Sequence, residues 1–173
     1  MKRILVISLM FVLVVAGLAA VSHGTGTLTV FGKIGAGDIE FSVNQTLLST
    51  NRIDLVENTA VQPTGDGVEI GNWQFGAANQ PSAVTYTVTY TYSPITQGGS
   101  SPASIPYELL IKDGATSTPR ISGETTTINA TAGTYNTSRD VLVRLTAAGV
   151  SAASTAPEST NYSSVVTVDL TSP

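Results

Sequence analysis

The sequence predicts an all-β fold, an antiparallel β-sandwich of roughly seven to nine strands behind an N-terminal signal peptide, and three observations carry that expectation. Between Ala83 and Tyr92 the chain reads AVTYTVTYTY, with Val84, Tyr86, Val88, Tyr90 and Tyr92 on one side of a period-two pattern and Thr85, Thr87, Thr89 and Thr91 on the other. Further short alternating segments follow, separated by Gly, Pro, Asn and Asp turns. Beyond residue 24 no capped apolar stripe of helical period is seen. A closed barrel is the alternative architecture.

Taken in order, Lys2 and Arg3, the apolar run Ile4 to Val15 and the small residues Ala16, Gly17, Ala19 and Ala20 form the three regions of a secretory signal peptide over residues 1–24, with cleavage between 20 and 24. Left uncleaved, Ile4 to Val21 approaches the length of a membrane anchor, the one membrane contact expected. Residues 25–173 then make one exported domain. Thr25 to Ile34 reads as a first strand with Leu28, Val30 and Ile34 on one face. It is a candidate assembly strand, because it would open the mature chain and Gly35-Ala36-Gly37 joints it to the body. Asp38 to Val43 alternates again, and Ile53 to Val56 is a shorter, weaker strand. In Val68 to Phe75 a bulge at Gly71-Asn72 would bring Trp73 and Phe75 back to the face of Val68 and Ile70. On the central strand the Tyr and Val side is expected inside, since burying four Thr hydroxyls without partners is costly. Gln97 to Pro106 reads as a mobile loop, Tyr107 to Lys112 as a strand closed by Asp113-Gly114, and Thr118 to Ala130 as one or two strands. Val141 to Leu145 is a strand with Leu142 and Arg144 outward, Ala147 to Asn161 a second flexible stretch, and Val165 to Leu170 the closing strand.

Chemistry is mostly excluded. Cysteine is absent, and the single histidine, His23, lies in the cleavage region, which removes disulfides, thiolate catalysis, a Ser-His-Asp triad and a His-rich metal site. Asp38 with Glu40, and Asp66 with Glu69, are the nearest approaches to an acid pair or calcium site, and both read as solvated strand edges. We therefore expect no catalytic residue, metal or cofactor, and no enzyme. Charged residues make up 12%, and removing Lys2 and Arg3 takes the net charge from −4 to −6, which disfavours nucleic acid. An outward-facing Tyr row or Trp73 would stack on sugar rings, so a carbohydrate-binding or adhesin module with glycan partners is the alternative. Asn44, Asn129, Asn136 and Asn161 fit the glycosylation pattern. Ser and Thr supply 43 of 173 residues, so about two of the eight asparagines would match by chance.

Two segments share a layout, AGTYNTSRDVLVRLT from Ala132 and ESTNYSSVVTVDLTSP from Glu158, each placing a Tyr after a turn and ahead of a Val-alternating strand. The layout resembles the Gly-x-Tyr turn and closing strand of secreted fimbrial sandwiches, including spore-coat-U-like pilin domains, and implies an Ig-like or pilin-like sandwich. With export and the missing catalytic groups, it leads us to expect a secreted structural subunit of a surface filament, pilus or envelope layer. Its partners would be other copies of itself or related surface subunits, joined by β-strand exchange.

Overall fold

A computed structural model describes residues 38–47, 52–97, 103–159 and 161–172; the leader (1–24) and the assembly strand with Leu28, Val30 and Ile34 lie outside them. The strands are β1 (Asp38–Gln45), β2 (Val68–Gln80), β3 (Val84–Tyr92), β4 (Ile95–Gln97), β5 (Ser104–Ile105), β6 (Tyr107–Asp113), β7 (Thr116–Arg120), β8 (Thr125–Ala130), β9 (Gly133–Leu145), β10 (Tyr162–Ser163) and β11 (Val166–Thr171), with one helix, α1 (Ala147–Thr155). A five-stranded sheet of order β1-β2-β9-β6-β7 and a three-stranded sheet of order β11-β3-β8 form an antiparallel sandwich, and β10-β4-β5 is a small ladder beside it.

Alternation places the core. Tyr86, Val88 and Tyr90 of β3 are buried and the intervening threonines of the strand are not, so the aromatic row faces inward. Opposite them stand Trp73 and Phe75 of β2, Leu109 and Ile111 of β6, and Val141 and Val143 of β9, all buried. The Phe75 and Tyr86 rings meet at 4.9 Å, and the indole Nε1 of Trp73 donates to the Tyr90 hydroxyl at 3.0 Å. That bond satisfies the one polar atom of a side chain with no solvent exposure. The bulge in β2 is present, one residue earlier than expected. The register against β9 slips between Glu69 and Gly71, leaving Ile70 as the extra residue. Gly71 stays in the ladder, where any side chain would strike the Asn44 carbonyl of β1.

Four expectations need correction. Ile53 to Val56 is a turn, because Asp54 Oδ1 accepts the backbone N–H groups of Val56 (2.9 Å) and Glu57 (2.8 Å) and so holds the chain out of any ladder. The loop from Gln97 to Pro106 is closed at its ends by β4 and β5, where Ile95 pairs with Ile105. Within the stretch read as flexible, Ala147–Thr155 forms α1, capped by Thr146, whose hydroxyl accepts from Gly149 N at 3.0 Å. The strand expected at Val141 begins at Gly133. Leu142 does point to the outer face, yet it is buried with its cross-strand partner Leu110, and Gly67 sits directly over both.

The two long seams between the sheets differ. On one side the chain crosses from β7 to β8, its Gly123 and Glu124 extending the β3–β8 ladder (Gly123 N to Tyr90 O at 2.7 Å, Tyr90 N to Glu124 O at 3.1 Å), and the Tyr92 hydroxyl donates between the sheets to Arg120 O at 2.9 Å. On the other side β1 pairs only with β2 and β11 only with β3, and no described strand bridges them. Along that side Val43, Val166, Val168 and Leu170 face the core but are only half-buried.

Candidate functional site

At one end of the open seam, past Gln45 of β1 and at Val166 of β11, lies a groove of 1210 Å³. Its depth is set by the buried residues Ile105, Tyr107, Val143 and Ala153. Half-buried apolar side chains line its flanks: Ile53 and Leu55 from the Asp54 turn, Ile70 from the β2 bulge, Ile95 from β4 and Val166 from β11. The exposed residues Arg52, Asp54, Glu57 and Glu158 stand at the mouth.

Local sequence explains this shape. The bulge at Ile70 adds a residue where a regular strand would have none to spare. Helix α1 supplies Ala153 and Ala156 because Gly149, buried at its N-terminal turn, packs against the Pro106 carbonyl so closely that no side chain fits. The Asp54 turn brings Ile53 and Leu55 to the same space without a ladder.

Polar groups in the groove are held by the protein itself. Ser164 Oγ donates to Ser93 O at 2.6 Å, so the Tyr107 hydroxyl, 2.8 Å from Ser164 Oγ, is the donor of that second bond. Burial pushes the Tyr107 hydroxyl up to about 12, and Tyr92, its ring 4.7 Å away, adds to the shift. Tyr162 donates to Pro157 O at 3.0 Å. The two amides on Asp54 hold its carboxyl below the usual aspartate range. What remains is a largely apolar trough where β1 ends and β11 begins. It can bury apolar side chains of an extended segment.

The residues singled out from sequence do not converge. Asn44 is half-buried on the outer face of β1, its Nδ2 donating to Asn72 Oδ1 at 3.3 Å. Asn129 is exposed on β8 and accepts from Thr85 Oγ1 at 3.1 Å, Asn136 is exposed on β9, and Asn161 lies at the groove. Trp73 and the Tyr86–Tyr90 row are in the core and offer no platform to a sugar. Asp66 and Glu69 are both exposed, and no metal-binding cluster of His, Cys, Asp or Glu occurs among the described residues. Sequence reasoning missed Ile95, Ile105 and Ala153 as groove residues. The one signal that pointed there was Thr146 ahead of an Ala-rich run, an N-cap without an amphipathic stripe behind it. Comparison with protein-family models, curated proteins and solved structures finds no match to this chain.

Proposed function

We propose that the protein is an exported, non-catalytic structural subunit of a surface filament, pilus or envelope layer, and that copies join by strand addition into the groove. One observation carries the reading: the chain crosses the β7–β8 seam, whereas no described strand bridges β1 and β11, and a largely apolar groove opens where β1 ends and β11 begins. The segment that fits it is Thr25 to Ile34, whose Leu28, Val30 and Ile34 alternate and which precedes β1 across Gly35-Ala36-Gly37. Burying three such side chains contributes roughly 5 to 9 kcal/mol before ordering costs are subtracted. The hydrogen-bonded state of Tyr107 and Asp54 supports a binding trough over a reaction centre.

The absence of cysteine makes a direct test clean. Copies carrying Val30→Cys are mixed with copies carrying a cysteine at Val166, Val168 or Leu170, then oxidised; a disulfide forms only if the Cα atoms come within about 4.4 to 6.8 Å. A covalent dimer in at least one mixture, and a ladder from the matching double variant, is the expected result. Double variants that close only within their own chain, with no dimer in any mixture, would overturn the proposal.

A further inference from the structure

Residues 25–34 and the groove match in more than one row of side chains. With Leu28, Val30 and Ile34 on the groove floor, an extended segment turns Phe31 and Lys33 toward the mouth. Lys33 is the one charged side chain in residues 25–37, and all twelve acidic residues of the chain lie from Asp38 onward. The mouth offers the complement to both. Asp54, Glu57 and Glu158 stand there against the single cation Arg52. Val56 lines it too, 58% exposed, and Val165, 75% exposed, lies between Ser164 and Val166, which also line the groove.

Two of the three carboxylates are unengaged. Asp54 Oδ1 is held by two amides of its own turn, but the carboxylates of Glu57 and Glu158 make no hydrogen bond or ion pair with another described residue. A trough whose rim combines exposed valine with unpaired carboxylates suits a polypeptide segment that carries an aromatic ring and a cation on its outer row. An acyl chain with an acidic head would be repelled at the same rim.

Chain length decides which copy supplies the segment. β1 begins at Asp38, away from the groove, and ends at Gln45, beside it, seven residues and about 24 Å further on. Lys33 precedes Asp38 by five residues, a link of at most about 18 Å, and the chain would first have to reverse. The Lys33 backbone therefore falls short of its own groove. We infer, on the strand-addition reading, that Lys33 of one copy pairs with Glu57 and Glu158 of the next, and so sets the register in which Leu28, Val30 and Ile34 enter the groove.

Sedimentation of the full mature chain at physiological salt reads the association constant. Lys33→Glu should weaken it about tenfold, and so should Glu57→Lys combined with Glu158→Lys, because each turns attraction into repulsion. All three changes in one chain should bring association back to within about threefold of wild type. Glu57 and Glu158 are exposed, so the folded body should melt as in wild type. Lys112→Glu makes the same change of net charge on β6, away from the groove, and should leave association unchanged. Wild-type association by Lys33→Glu, an equal loss in Lys112→Glu, or no recovery in the triple variant would overturn the inference and leave strand addition standing. A wild type that stays monomeric, or that assembles equally well without residues 25–34, would overturn both.

Discussion

Trp73 shows how one residue ties together the bulge, the core and a buried hydrogen bond. Truncation to Ala removes a fully buried indole and leaves a cavity, a cost of about 3 to 5 kcal/mol, whereas Tyr90→Phe only leaves the indole N–H unpaired, about 1 to 3 kcal/mol. Urea midpoints should rank wild type, Tyr90→Phe, Trp73→Ala in falling order, and equal midpoints for the two variants would contradict this packing. Tyr107 gives a pH dependence. Its folded-state value is raised from 10.0 to about 12, so the neutral hydroxyl is the form the fold favours. The stabilisation is complete below pH 10 and is lost as the pH rises toward 12. Tyr90 and Tyr92 are raised by burial in the same direction. Melting temperatures should hold up to about pH 10 and then fall, and Tyr107→Phe should flatten part of that fall.

At the scale of elements, α1 is the piece that alternation could not reveal. Its Ala, Ser and Thr residues carry no apolar stripe, and it is held by a cap and one close approach. Thr146→Ala should therefore cost about 1 kcal/mol. Gly149→Ala, which drives a methyl into the Pro106 carbonyl, should cost about 1 to 3 kcal/mol, both read from thermal unfolding. A Gly149→Ala variant as stable as wild type would mean that the helix docks elsewhere. The strands were legible where alternation was clean, as in β3 and β11, whose inward rows are Tyr86-Val88-Tyr90 and Val166-Val168-Leu170. The first half of β9 was not, because its inward row is Tyr135, Thr137 and Arg139. Arg139 can face inward there because its guanidinium stacks over Trp73 at 5.9 Å and pairs with Asp113 at 2.8 Å. The groove was hidden for a similar reason. Its apolar residues come from a turn, a bulge, a short ladder and a helix, and no linear period links them.

At the scale of the molecule, the asymmetry of the seams is the central point. A sandwich whose β7–β8 side is crossed by its own chain and whose β1–β11 side is lined by half-buried Val43, Val166, Val168 and Leu170 keeps, among the described residues, partly exposed apolar surface along that second side. Unpaired edges are sites of association unless they are charged, short or covered. The most direct test is the size of the mature protein in solution, by sedimentation over a range of concentrations, with and without residues 25–34. The account predicts polymers that grow with concentration and vanish on truncation, while the shortened protein keeps its β-sheet circular dichroism and remains monomeric. A full-length protein that stays monomeric at every concentration would contradict it.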